Sequence, residues 1–190
     1  MTDVTEVVKN MDRHAKAKLV AASVKGDTDA FSKLYGEVYK QLYYYALANL
    51  RCAEDAADAV QDAVLDAFAE IAELKKASAF DSWLFKILSA KIKQKQKEYA
   101  ERRYDISEPY SSAALIKETA DFERCEILDG FADLSENERL CITLSCIAGY
   151  KGKEISEITG INQSTVRSCI SRGRTKLRAG LNMDCKEVTE

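Results

Sequence analysis

Hydroxyl, amide and guanidinium side chains cluster near the end of this sequence, at a spacing that favours hydrogen bonding to nucleic acid. The cluster consists of Gln163, Ser164, Thr165, Arg167, Ser168, Ser171, Arg172 and Arg174. In a helix, most of these residues lie away from the apolar stripe that contains Val166, Ile170 and Leu177. Arginines bind phosphate oxygens and base edges, and small hydroxyls let a helix approach the bases. The pattern predicts a DNA-contacting helix, and an ordinary solvated basic helix is the alternative.

The residues around this cluster have the layout of a helix-turn-helix. Residues 149–167 predict a short helix, a turn at Gly160 and a second helix that Asn162 caps. Upstream, Ser135-Glu136-Asn137-Glu138 has capping-box spacing, in which the serine and the last glutamate each accept a hydrogen bond from the other's backbone amide. Gly149 is expected to end that helix in the left-handed conformation. Three helices would therefore position the polar cluster.

Charge is distributed along the chain in alternating blocks, although the net charge is only −3. Residues 54–73 carry seven acids and no Lys or Arg, whereas residues 86–103 carry seven bases and two acids. Residues 104–138 carry ten acids and two bases, and residues 151–178 carry seven bases and two acids. Separate blocks of opposite sign indicate a protein with more than one charged partner.

A basic helix is predicted from about Phe80 onward. Its apolar residues are Trp83, Leu84, Ile87, Leu88 and Ile92, and its cations are Lys86, Lys91, Lys93, Lys95 and Lys97. Lysines at odd positions cannot share one helix face, so they favour general attraction of phosphate over recognition of bases. Trp83 is open to two interpretations, either a core residue or a platform for an unstacked base.

Two amphipathic helices precede the basic helix. The first starts after Asp27, a predicted N-cap, and its stripe is read as core: Phe31, Leu34, Tyr35, Val38, Tyr39, Leu42, Tyr43, Ala46 and Leu50. The second places Val60, Ala63, Val64, Ala67, Phe68, Ile71 and Leu74 on one face, with Asp55, Asp58, Asp62, Asp66 and Glu73 on the other. The acidic face is either solvated surface or a site for a basic protein.

Several classes of protein do not fit this sequence. It has one histidine, no phosphate-binding glycine loop and no acid pair within an apolar pocket pattern, so we predict no enzymatic activity. Its six cysteines lack the spacing of a zinc site, and we predict no metal and no cofactor. The N-terminus lacks the pattern of a signal peptide, and no apolar run is long enough to span a bilayer. A cytoplasmic protein without membrane insertion is expected.

The acidic stretch at 104–133 is predicted to be a linker. It contains the single proline, Pro109, and lacks clear periodicity. The expected fold is all-α, with two small helical domains at 15–103 and 134–182 that the linker joins. The second domain contains the helix-turn-helix.

Four blocks of this sequence, in order, resemble the extracytoplasmic-function sigma factors, which are compact bacterial subunits of RNA polymerase. The blocks are residues 26–35, 54–62, 80–87 and 150–177. The resemblance covers nearly all of 20–180. It implies a protein that binds core RNA polymerase and directs promoter-specific transcription initiation.

The resemblance also implies roles for particular residues. Asp58, Gln61 and Asp62 would bind the clamp coiled coil of the largest polymerase subunit. Separated strands near the minus-ten promoter element would meet Trp83, Lys86, Lys91, Lys93 and Lys97, and duplex near minus thirty-five would meet the polar cluster at 163–174. An anti-sigma factor is a further expected partner.

Ala90, Gln94 and Cys169 depart from the residues usual in this family, so no promoter sequence is predicted. Two alternative functions stay open. A helix-turn-helix regulator would bind an operator without joining polymerase, as a dimer on paired half-sites. A degenerate adaptor would bind polymerase without directing initiation.

Overall fold

The computed structural model describes residues 13–105, 131 and 133–187, which contain seven α-helices and no β-strand. We call them α1 (Arg13–Ser23), α2 (Thr28–Leu50), α3 (Ala53–Glu70), α4 (Phe80–Asp105), α5 (Glu136–Cys146), α6 (Gly152–Thr159) and α7 (Gln163–Glu187). Helices α1–α4 form an N-terminal unit, and α5–α7 form a C-terminal unit. This architecture confirms the expected all-α fold with two helical parts. In the described part of the chain, no helix has both the length and the apolar character needed to cross a membrane.

Several predicted helix ends depend on local capping, and the structure confirms the caps at Asp27 and Ser135 and the turn at Gly160. Helix α5 ends at Cys146, three residues before the predicted end at Gly149. Asp27 accepts a hydrogen bond from the amide of Ala30 at 3.0 Å, which caps α2. Ser135 and Glu138 form the predicted capping box at the start of α5. Gly149 and Gly160 have φ of 73° and 72°, values that glycine adopts without steric cost. The predicted linker lies mostly outside the described residues, and the domain bounds stay predictions.

The core of the N-terminal unit is built by α2, α3 and α4. Tyr45 is fully buried, and its hydroxyl lies 2.8 Å from Oγ of Ser89, which satisfies both polar groups. Tyr39, which the periodicity assigned to the core, is instead exposed, as is Phe68 on the predicted apolar face of α3. The apolar stripes of α2 and α3 are wider than the surfaces that cover them, so residues at their edges stay in solvent.

Arg51 ends α2 in a left-handed conformation, with φ of 57°, and is the only non-glycine residue of the described chain with positive φ. We expect Arg51→Gly to raise the free energy of unfolding by about 0.5–1 kcal/mol, because relief of backbone strain exceeds the added entropy of the unfolded chain. Denaturant unfolding would measure the change. Lys33→Gly, in the exposed interior of α2, should instead lower stability by about 1 kcal/mol. A loss of stability in Arg51→Gly would contradict the prediction.

The two units pack directly against each other. Helix α5 lies against α2, and α6 lies against α4. Nδ2 of Asn49 donates to Oγ1 of Thr143 at 3.1 Å, and the ring of Tyr150 meets the ring of Phe85 edge-on, with centroids 5.4 Å apart. Buried residues of both units belong to one continuous apolar core. The sequence did not predict this packing.

Candidate nucleic-acid and protein interfaces

Helix α7 presents the predicted polar cluster to solvent. Gln163, Ser164, Thr165, Arg167, Ser168, Ser171, Arg172 and Arg174 are all exposed, whereas Val166 and Cys169 are buried. The Oδ1 atom of Asn162 accepts from the amide of Ser164 at 3.0 Å and so holds the first turn. Gly173 is needed for the close approach to α5, because a Cβ there would lie 3.2 Å from Cδ1 of Ile142. Local caps and one glycine therefore fix the orientation of the cluster.

An open groove runs between α7 and the start of α6. Cationic side chains line it: Lys151, Lys153, Arg167, Arg174 and Arg178. The two lysines lie on the segment before α7 and were not among the predicted site residues. The excess of bases at 151–178 was the signal that could have identified them. Cations on both walls of a groove match the two phosphate backbones that flank a DNA major groove.

Arg172 has a second set of contacts that the sequence did not reveal. Its Nε lies 2.8 Å from Oε1 of Glu138, and Nζ of Lys176 lies 2.8 Å from Oε2 of the same carboxylate. The Glu138 side chain is only 5% exposed. Hydrogen bonds from Lys176 and Arg172 lower the pKa of Glu138 to about 2. Arg172 therefore joins α7 to α5 in addition to its predicted contact with DNA.

Lysines of α4 divide the acids of α3 into two groups. Nζ of Lys95 lies 2.9 Å from Oδ1 of Asp55, and Nζ of Lys91 lies 2.6 Å from Oδ2 of Asp66. Tyr99 also donates to Asp55. The pKa of Asp55 is lowered, because these hydrogen bonds outweigh the opposing effect of burial. The carboxylates of Asp55 and Asp66 therefore form ion pairs within the protein.

The other acids of α3 face solvent. Asp58 is 68% exposed and reaches Lys95 only at 3.8 Å. In the described chain, no hydrogen bond or ion pair engages Gln61 or Asp62. Leu65 lies one turn beyond Gln61 and Asp62 and is 60% exposed. We call Asp58, Gln61, Asp62 and Leu65 the α3 face; it combines two available carboxylates with an exposed apolar side chain.

The cations of α4 do not form one surface. Lys86 and Lys97 are exposed, Lys91 pairs with Asp66, and Lys93 donates to the backbone carbonyl of Thr159 in α6. Trp83 is half-buried, with its ring centroid 6.3 Å from that of Phe80. Part of the indole is thus core, and part stays accessible.

Comparisons with known proteins agree with this geometry. Family models match at two places: "Sigma-70 region 2" at residues 34–101 and "Sigma-70, region 4" at residues 126–177. The chain is 30% identical to the ECF RNA polymerase sigma factor SigW of Bacillus subtilis, over 83% of this chain and 91% of SigW. It is 29% identical to the ECF RNA polymerase sigma factor SigM of Mycobacterium tuberculosis, over 87% of this chain and 85% of SigM.

Solved structures share the fold. The sigma factor RpoE of Bartonella quintana, in complex with the anti-sigma factor NepR, has a TM-score of 0.71 at 22% identity, covering 81% of this chain and 98% of that one. CnrH, in complex with the cytosolic domain of CnrY, has a TM-score of 0.67 at 24% identity, covering 90% and 99%. Both matched regions lie in the expected order, and the alignment with SigW of Bacillus subtilis covers 83% of this chain. The chain therefore belongs to the extracytoplasmic-function family of RNA polymerase sigma factors.

Proposed function

We propose that this sigma factor docks on the clamp coiled coil of the largest polymerase subunit through Asp58, Gln61 and Asp62. The observation that carries the proposal is the division of acids on α3. Asp55 and Asp66 are neutralised by lysines, whereas Asp58 and Asp62 are exposed beside Leu65. Available carboxylates next to an apolar side chain suit a basic helical partner and repel DNA.

The cationic groove beside α7 is proposed to bind duplex near minus thirty-five. The exposed hydroxyls of Ser171 and Thr175 line this groove together with cations that would hold the phosphate backbones. Near minus ten, the separated strands would meet Trp83 with Lys86, Lys91, Lys93 and Lys97. Each contact becomes intramolecular once the other has formed, so two weak sites on one chain give useful affinity.

Two further features belong to this proposal. An anti-sigma factor is proposed as a regulator, because the similar sigma factor of Bartonella quintana forms a complex with the anti-sigma factor NepR. We also propose that the protein works in the cytoplasm, as its expected contacts with polymerase and promoter require. Neither the interaction with an anti-sigma factor nor work in the cytoplasm requires enzymatic chemistry in this chain.

Run-off transcription with core polymerase and a genomic template library tests the function. Transcripts that share an upstream motif are the expected result. Operator binding without any core polymerase would support a helix-turn-helix regulator instead. Core binding without transcripts would indicate an adaptor. The assay reports docking, strand separation and choice of site together.

Arg167→Ala is expected to weaken binding to a minus-thirty-five duplex by about 5- to 150-fold, the effect of losing one good base-edge contact. Its side chain is exposed and makes no hydrogen bond or ion pair within the described residues, so stability should not change. Fluorescence anisotropy at fixed salt would measure affinity. Lys18→Ala, an exposed cation on α1, is the control. Equal affinities in the two variants would remove Arg167 from the site.

A further inference from the structure

Helix α1 is the one helix of the described chain that the sequence did not predict. It packs on α2 and on the short helical turn Ala77–Ala79, which leads into α4. Val20 on its apolar side is buried in the core. On its polar side, Nζ of Lys16 lies 2.6 Å from Oδ1 of Asp81 and also donates to Oδ2 of the same carboxylate. Helix α1 therefore contacts the start of α4 both by packing and by an ion pair.

The start of α4 has few other anchors. None of residues 72–79 is buried. Within the first turn of α4, Oγ of Ser82 donates to the carbonyl of Ala79 at 3.0 Å, which is a local bond. Among the described residues, only the bond from Lys16 ties a side chain of this turn to a distant part of the fold. Segments with few buried contacts open easily, whereas the later turns of α4 are held by ion pairs with α3.

Asp81 and Trp83 share this first turn but point in different directions. Residues two positions apart on an α-helix are separated by about 200° around its axis. The half-buried indole of Trp83 packs near the fully buried ring of Phe80, while Asp81 reaches toward α1. The ion pair therefore acts on the indole through the backbone of the turn that both residues share.

We propose that Lys16 is a positioning residue for the minus-ten site: through Asp81 it fixes the first turn of α4 and so the orientation of Trp83. The role in promoter binding rests on the proposed function, whereas the fixing of α4 does not. A purely electrostatic role is the alternative. The side chain of Asp81 is 36% exposed, so without Lys16 its charge would repel phosphates near Trp83.

Fluorescence of the full chain tests the positioning. Trp83 is the only tryptophan of the sequence, so the emission reports its surroundings alone. Both Lys16→Met, which keeps the apolar stem, and Asp81→Asn should shift the emission to longer wavelength and increase quenching by acrylamide. Lys18→Met makes the same charge change at an exposed position of α1 and should leave both quantities unchanged. Circular dichroism would verify that each variant is folded.

Binding of the complex with core polymerase to promoter templates tests the role in promoter contact. On a template with a single-stranded minus-ten region, Lys16→Met and Asp81→Asn should each bind about 3- to 5-fold more weakly than wild type, the upper range for a partly exposed ion pair. Affinity for a duplex with only the minus-thirty-five element should not change. A purely electrostatic role predicts opposite effects, because the first substitution removes a cation and the second removes an anion.

The two measurements separate the parts of the proposal. Unchanged fluorescence in both variants would overturn the positioning of Trp83. Altered fluorescence with unchanged affinity for the single-stranded template, or opposite changes of affinity in the two variants, would overturn the positioning role in promoter contact. If the fluorescence changes but no form of the protein binds core polymerase, the positioning of Trp83 stands and the proposed function fails.

Discussion

Replacing Asp58 and Asp62 together with lysine is expected to abolish binding to core RNA polymerase and to leave the N-terminal unit folded. Both carboxylates lie on the exposed side of α3, and the only ion pair that either makes in the described chain is the 3.8 Å approach of Asp58 to Lys95. Exposed pairs of this kind contribute at most about 1 kcal/mol to stability. The double substitution changes the charge of this surface by four units. It would place lysines against the basic partner that we propose, and like charges repel.

Pull-down with core polymerase measures the loss of binding, and circular dichroism verifies the fold. The matched control is Glu37→Lys with Glu157→Lys, which makes the same charge change at exposed positions outside the α3 face. Asp66→Lys is expected to lower the stability of the fold, because it breaks the ion pair between Asp66 and Lys91. Undiminished binding by the Asp58 and Asp62 double variant would remove the docking role from this face.

Glu138→Gln is expected to lower the free energy of unfolding by about 1.5–3 kcal/mol, the range for hydrogen bonds to charged groups. The carboxylate receives hydrogen bonds from Arg172, Lys176 and the amide of Ser135. A neutral amide cannot accept from all three with the same strength. Denaturant unfolding of the full chain measures the effect. Glu136→Gln, an exposed acid in the same helical turn, should change stability by less than about 0.5 kcal/mol.

The same carboxylate predicts how stability depends on pH. The folded pKa of Glu138, about 2, lies below the ordinary value of 4.5, so the unfolded chain takes up the proton first as pH falls. The stabilisation is complete above pH 4.5 and is lost as pH falls from there toward 2. Glu138→Gln should therefore show less acid-induced loss of stability than wild type across this window. Parallel pH profiles for the two proteins would contradict the assignment.

The sequence by itself predicted every described helix except α1, together with several of the helix ends. Asp27, the capping box at Ser135 and Glu138, and the glycines at 149 and 160 act through groups within a few residues, so their effects could be predicted without a fold. The outward position of the polar cluster on α7 follows from helical periodicity in the same way. Resemblance of four short blocks was enough to identify the family.

Only the tertiary structure decided which charged groups are available to bind a partner. All four aspartates of this comparison lie on α3. Lysines of α4 pair with Asp55 and Asp66, whereas Asp58 and Asp62 stay exposed. The bond between Arg172 and Glu138 joins residues 34 positions apart. The packing of Tyr150 on Phe85 joins two units separated by an acidic stretch.

Periodicity assigns a side chain to a helix face, but it does not identify the element that covers that face. Ion pairing and burial depend on distances between helices that are remote in sequence. For this reason the sequence identified a sigma factor and its candidate residues. The tertiary structure decided which carboxylates can meet a partner and that the two helical units pack together.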